Sequence, residues 1–394
     1  MDSHKEIGII LKPEKDKALR NHHHWIFSGA VKSYPPFENG QILPIYSSEE
    51  KFLGYGYFNR KSQIVGRVLS FEQTPALDMI TRRLLSAWEL RKGFFSGKST
   101  NAYRLVHGEG DGVPGLTIDV YNDVFVLQSA TKGIDQLKPW LVKTLNHHFK
   151  PRSIYEKSLL PSRKEEGLAE SQGLLAGENT PEVTFQENGL SFITSILKSQ
   201  KTGFFLDHRE MRQLIRTLAE GKRVLNAFSY TGGFSVYALA GGAATVDSVD
   251  ISQDAIEGAK RNIALNGFDI QKQQFICADV FSFLRDQATL PYDLVILDPP
   301  AFAKRKVDIV PACRGYKDIN RLAMQKMPPQ SLLLTSSCSH HVDEVLFQKV
   351  IFQAAMEAKR EVRIIGRHRL GTDHPINVFH PESDYLKSLL LYIE

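Results

Sequence analysis

The chain has 394 residues, 42% of them apolar and 24% charged, a composition that supplies buried cores and excludes wholesale disorder. Its 49 Lys and Arg exceed its 44 Asp and Glu by five, which permits a polyanionic partner without demanding one. No apolar run approaches a bilayer span and Met1-Asp-Ser-His-Lys5 is not a secretory leader. The three cysteines, Cys277, Cys313 and Cys338, form no Cys-x-x-Cys pair, which argues against a disulfide framework or a metal site and points to a reducing cytoplasm.

At roughly 150 residues per domain the length suggests two or three domains. Residues 1–73 read as a small β-barrel. Ile7-Leu11, Gln41-Tyr46, Phe52-Phe58 and Ile64-Leu69 are β-rich, and Ser33-Tyr-Pro-Pro36 and Asn39-Gly40 are turns. Asp78 to Phe95 has apolar residues at helical spacing (Ile80, Leu84, Leu85, Trp88, Leu90), with Gly97 as a stop. Residues 74–195 then form an α+β middle domain: strands at Arg104-Val106, Leu116-Tyr121, Val124-Ala130 and Ile154-Lys157, and a helix near Ile134-His148. Ser162 to Pro181, rich in Glu, Gly and Ser, reads as an exposed loop. Asn188-Gly189 joins Val183-Gln186 to Leu190-Thr194 in a hairpin, because that dipeptide accepts the positive φ angles of a tight turn.

From residue 196 to 394 strand, turn and helix repeat, which predicts a doubly wound parallel sheet of Rossmann-like type. The expected strands are Val224-Ala227, Thr245-Val249, Gln274-Cys277, Leu294-Leu297, Ser331-Ser336 and Val362-Gly366. In such sheets ligands bind beyond the carboxyl ends of the strands. Four of those ends carry suitable chemistry. Gly232-Gly233 opens a helix after Asn226 and Phe228, allowing close backbone approach, although the full Gly-x-Gly-x-x-Gly is absent. Asp250 suits ribose hydroxyls or a helix cap; Ser252 is an N-cap beside it, and Asp279 suits an adenine amino group or a cap. In Asp298-Pro-Pro-Ala-Phe302 two prolines stiffen the backbone behind Asp298, and Phe302 offers a stacking face.

Cys338, within Thr335-Ser-Ser-Cys-Ser339, ends the fifth strand and is the candidate nucleophile, since thiolate is reactive near cations. Cys277, inside a strand, reads as a small buried hydrophobe. Arg314, Tyr316 and Lys317 beside Phe302, with Lys304-Arg-Lys306, Arg363, Arg367, His368 and Arg369, suit phosphates and bases of RNA or are solvated faces. His22-His23-His24 reads as RNA-facing or structural, with no metal.

Thr202-Gly-Phe-Phe-Leu-Asp-His-Arg209, Asn226-x-Phe-Ser-Tyr-Thr-Gly-Gly-Phe234, Asp298-Pro-Pro-x-Phe302, Cys313-Arg-Gly-Tyr-Lys-Asp-Ile-Asn320 and Ser337-Cys-Ser339 together resemble bacterial large-subunit rRNA cytosine-C5 methyltransferases with an N-terminal PUA domain. The similarity includes His24-Trp-Ile-Phe-Ser-Gly-Ala30 and Arg104-Leu-Val-His-Gly-Glu-Gly-Asp-Gly-Val-Pro-Gly115, so it spans nearly the whole chain. The resemblance implies a class I S-adenosylmethionine fold with cofactor contacts at Phe205, Asp207, Asn226, Phe228, Asp250, Asp279 and Asp298. It further implies Cys338 as nucleophile; in the mechanism expected here its thiolate adds to C6 of cytosine and Asp298 neutralises the charge that develops at N3. His208 stands where glutamine is frequent, and Ser336 where an aromatic residue is. A guanine-nitrogen methyltransferase and a non-catalytic ribosome-assembly module are the alternatives, and whether the chain forms a homodimer is left open.

Overall fold

The Pro- and Gly-broken runs of the first seventy residues condense, in the computed structural model, into a six-stranded sheet of order β2-β6-β5-β4-β1-β3. Its strands are β1 (Ile9–Leu11), β2 (Trp25–Ile26), β3 (Val31–Ser33), β4 (Ile42–Tyr46), β5 (Phe52–Phe58) and β6 (Gly66–Ser70), with the short helix α1 (Lys17–Arg20) between the first two. Inward apolar residues of these strands, among them Ile9, Ile26, Ile45, Phe58 and Val68, make one core. The structure describes residues 6–95 and 99–394, so Met1-Asp-Ser-His-Lys5 and the Gly97 stop lie outside it.

The long helix α2 (Ala76–Phe94) leads to a five-stranded sheet of β7 (Ala102–His107), β8 (Leu116–Tyr121), β9 (Val124–Ser129), β10 (Ser153–Ser158) and β11 (Ser171–Gly177), with α3 (Lys132–Phe149) and α4 (Ser162–Glu165) between strands. Here the loop expected from Ser162 to Pro181 is corrected: it contains α4 and the edge strand β11, antiparallel to β10. An edge strand half in water tolerates the small and polar residues that made this segment look like a loop. Tyr57 and Leu69 of the first sheet share a core with Ile80 and Leu105 within one compact unit. That unit comprises Met1–Phe185, Thr194–Leu206 and Thr372–Ser383.

Within it two of the three histidines are tied into the fold, and His23 lies with His380 and Glu382 in a group whose ligand atoms are within 4.8 Å of one another. His24 is buried and its Nδ1 lies 3.0 Å from the carbonyl of Val68, while the Trp25 amide donates to His23 Nδ1 at 3.2 Å. That bond leaves the proton on His23 Nε2, which donates to Glu382 at 3.2 Å.

The hairpin forms as the Asn-Gly turn dictates: β12 (Glu182–Glu187) pairs β13 (Leu190–Ser195), with φ of 51° at Asn188 and 78° at Gly189.

The second unit comprises Gln186–Ile193, Asp207–Gly371 and Asp384–Glu394. Its strands are β14 (Arg223–Ala227), β15 (Thr245–Asp250), β16 (Gln274–Cys277), β17 (Leu294–Leu297), β18 (Ser331–Ser337), β19 (Val362–His368) and β20 (Lys387–Ile393). Its helices are α5 (Arg209–Leu218), α6 (Gly233–Ala240), α7 (Gln253–Leu265), α8 (Val280–Asp286), α9 (Ile309–Lys326) and α10 (Glu344–Ala358). The sheet order is β16-β15-β14-β17-β18-β20-β19. The parallel reading needs correction at one place: β20 runs antiparallel to both β18 and β19. Its apolar run, Leu389-Leu-Leu-Tyr-Ile393, is a fully covered strand at the end of the chain, which no following helix announces. Neighbouring residues bury on opposite faces: Leu225, Val295 and Leu333 against α8, α9 and α10, and Val224, Ile296 and Leu334 against α5 and α6.

Candidate active site

Register puts the carboxyl ends of the strands in one row. Ala227 lies opposite both Val249 and Leu297, Asp250 opposite Cys277, and Leu297 opposite Thr335. The turn leaving β14 is strained, with φ of 61° at Phe228, 46° at Tyr230 and 77° at Gly232. Bulky residues in the left-handed region persist only where the surroundings over-determine them, and such turns cluster at ligand sites. Here Asp250 supplies the restraint: Oδ2 accepts the Tyr230 amide at 2.9 Å and Oδ1 the Ser252 amide at 3.0 Å. At Gly232 a Cβ would come within 2.9 Å of the Cβ of Ala259, so helix α7 closes on the turn. Buried Asn226 donates to Ser235 Oγ at 2.8 Å and keeps its Oδ1 without a hydrogen-bond partner.

Ser252 and Asp279 are both helix caps. Ser252 Oγ accepts the Ala255 amide at 3.3 Å, and Asp279 Oδ1 accepts the Ser282 amide at 2.9 Å. Capping occupies one oxygen of Asp279. Phe205 belongs to the first unit, half-buried, with the Lys201 ammonium 4.2 Å from its ring centre.

Asp298 follows β17, its amide 3.5 Å from the carbonyl of Ala227. Oδ1 of Asp298 lies 3.3 Å from Nε2 of His208, a residue wholly enclosed at 3% exposure. Asp207 beside it accepts the hydroxyl proton of Tyr385 at 2.7 Å. His208 was visible in the sequence only as a departure from a resemblance, and no role followed from it there. Nothing local links residue 208 to residue 298.

Cys338 is half-buried just past β18, with Sγ 3.9 Å from the carbonyl of Pro299 in the Asp298 turn. The thiol therefore sits against the backbone of the Asp298 turn. Around them Ser339 Oγ accepts the Ala303 amide at 3.1 Å and lies 2.9 Å from the Tyr316 hydroxyl, while Lys387 donates to the Ser339 carbonyl at 2.8 Å. Burial lowers the pKa of Lys387, and Cys338 is the first of the groups opposing that shift. Lys387 escaped the sequence because its strand, β20, did. Ser336 points elsewhere, its hydroxyl paired with Ser388 at 2.8 Å.

Two assignments change. Cys277 is exposed on the edge strand β16 and not a buried hydrophobe, its thiol 3.4 Å from the carbonyl of Ile251. Tyr316 is fully buried and packs its ring 4.6 Å from that of Phe302, so it backs the stacking residue and offers no face of its own. Phe302 itself is half-buried, also against Phe281, and Gly315 leaves room for it: a Cβ there would stand 3.2 Å from its ring. Arg314 is exposed at a cleft of about 750 Å³ that also takes in Phe281, Arg285, Lys317 and Arg321. Most of that charge is matched: Lys317 meets Glu357 at 2.6 Å, and Arg285 and Arg321 meet Asp318 at 2.7 and 2.6 Å. Arg305, Arg363, Arg367 and Arg369 are likewise ion-paired, to Asp308, Glu394, Glu344 and, for Arg369, Glu344 with Asp384.

A sheet with this order, a strained glycine turn after its first parallel strand and carboxylates on successive strand ends define an open α/β fold of the nucleotide-cofactor class. Residues 164–358 match the S-adenosylmethionine-dependent methyltransferase family and residues 9–71 the PUA-like domain. The chain is thus a PUA-containing S-adenosylmethionine-dependent methyltransferase. Over 388 residues it is 45% identical to the ribosomal RNA large subunit methyltransferase I of Vibrio cholerae, covering 96% of this chain and 98% of that protein. A protein described as a SAM-dependent methyltransferase from Streptococcus mutans superposes with a TM-score of 0.83 at 26% identity over 98% of this chain and 99% of its own. A methyltransferase structure complexed with SAH gives the same TM-score of 0.83 and 26% identity, over 98% of this chain and 99% of its own. The chain belongs to the ribosomal RNA large subunit methyltransferase I family. Among the described residues no helix is long and apolar enough to cross a membrane.

Proposed function

We propose that this chain methylates C5 of a cytosine in large-subunit (23S) ribosomal RNA, with Cys338 as covalent nucleophile and Asp298 as its acid–base partner. The names of its relatives support ribosomal RNA as substrate. The observation that carries the chemistry is the approach of Cys338 Sγ to the Pro299 carbonyl at 3.9 Å, which sets a thiol beside the Asp298 turn at the strand ends.

The residues fit S-adenosylmethionine. The unpartnered Asn226 Oδ1 and the left-handed turn of Phe228, Tyr230 and Gly232 leave acceptor and backbone surface for a ligand. Asn226, Phe228, Asp250, Asp279 and Asp298 would hold it, with Asp207 as a further contact and Ser252 acting through the helix cap. When bound, the cofactor supplies an electrophilic methyl group. The target nucleotide leaves its stack and its base lies against Phe302, with Arg314 and Lys317 at the flanking backbone. Cys338 thiolate adds to C6, forming the S–C6 bond and placing electron density at C5 and N3. Asp298 donates or shares a proton at N3 to neutralise that charge. Once C5 is methylated, its proton passes to water, the C5–H electrons re-form C5=C6 and expel the sulfur as thiolate, and N3 returns its proton to Asp298.

Ribosomal RNA from cells lacking the gene, incubated with protein and cofactor and then digested for mass spectrometry, tests this. The product is 5-methylcytidine, and Cys338→Ala lowers its rate by about 10²-fold or more. Unreduced methylation by that variant removes the covalent role, and methylguanosine as product removes the cytosine assignment.

A further inference from the structure

His208 is buried where an imidazolium is costly unless paired. The groups facing it are Asp298 at the end of β17, Asp207 on its own turn and Arg212 on α5, with the Phe234 ring of α6 edge-on at 5.7 Å. Arg212 is itself held by Glu187, its Nε 2.7 Å from Oε1. The Nε2 of His208 meets Asp298 at 3.3 Å, while Nδ1 is buried with no hydrogen-bond partner. The imidazole is therefore aimed at one acceptor only.

We propose that His208 and Asp298 form a proton-sharing pair, in which His208 positions the carboxylate and resupplies the proton that Asp298 passes to the target base. This rests on the cytosine reading above. In the forward step the Nε2–H bond of His208 breaks as Asp298 gains a proton, and Asp298 gives its proton to N3 as S–C6 forms. In the elimination step the same proton returns by the same route, so the pair ends the cycle as it began. Desolvation drives His208 toward neutrality, but Asp298, reinforced by Asp207, outweighs it and the opposing Arg212, so its pKa is raised above the ordinary histidine range.

Three measurements on the full-length protein test it. Histidine-selective NMR titration reads His208 directly: a value above that of an ordinary histidine is expected, and one below it overturns the proposal. The kcat–pH profile of wild type falls as pH rises through that value, because the protonated imidazole is the active form. His208→Gln keeps a donor to Asp298 without titrating. Its cofactor Kd and KM change less than about threefold, its kcat drops about 10- to 10²-fold, and the alkaline limb disappears. A His208→Gln profile with the wild-type limb overturns the proposal. Cys338→Ala is assayed alongside; full activity there removes the covalent reading and leaves the His208 result to be judged on the NMR titration.

Discussion

Gly232 shows how one residue can join fold to ligand site. With φ of 77° and α7 packed 2.9 Å from where a Cβ would be, the position is closed to side chains on both conformational and steric grounds. Gly232→Ala is expected to destabilise the protein by about 1–3 kcal/mol, measured by urea unfolding. It should also weaken S-adenosylmethionine binding in calorimetry, because the strained turn moves. Phe228 and Tyr230 hold comparable backbone angles with side chains attached, and the Asp250 carboxylate on the Tyr230 amide is what keeps them there. The sequence offered Asp250 as either a ligand or a cap. It restrains this turn and also accepts the amide of the N-cap residue Ser252.

At the scale of elements, a buried ion cluster fastens the hairpin to the helices of the second unit. Glu187, the last residue of β12, takes Arg212 through both oxygens at 2.7 Å, meets Arg209 at 3.3 Å and accepts the Tyr237 hydroxyl at 3.0 Å. Burial and then the Glu187 charge push the Tyr237 phenol well above its usual range, so it stays a donor. Removing one partner leaves buried charge uncompensated, so Glu187→Gln should cost about 3–5 kcal/mol by denaturant unfolding. Glu187→Leu combined with Arg212→Met should recover part of that loss, and a strictly additive double variant would contradict the coupling. The same cluster holds α5, on whose leading turn Asp207 and His208 sit.

At the scale of the molecule, His24 of the first unit and His208 of the second answer pH with opposite signs. In the first unit His24 is buried and its pKa falls to about 3, first through desolvation and then through Arg83, and His107 is lowered likewise by burial. Between an unfolded value near 6.5 and about 3 the unfolded chain binds protons that the folded unit does not, so its stability declines as pH falls through that window, by a few kcal/mol. Trp25, Trp88 and Trp140, all three tryptophans of the chain, lie in this unit, so their fluorescence follows its unfolding separately. In the second unit the raised His208 contributes stability that is complete below the unfolded histidine value and is lost as pH rises through the folded one. Circular dichroism melts should show that loss in wild type and not in His208→Gln.

The sequence by itself determined the parallel strands, their turns and the chemistry at each strand end, because hydrophobic period, glycine turns and the Asp-Pro-Pro stop are local signals. It also placed Cys338 at a strand end. Only the tertiary structure decided which groups meet there: Asp298 with His208, Cys338 with the Pro299 carbonyl, and Lys387 on a seventh, antiparallel strand. It alone turned Tyr316 inward and Cys277 outward. Pairing between residues far apart in the chain leaves no periodic trace, and the exposure of a strand residue depends on whether its strand is central or at an edge, which is settled only when the sheet assembles.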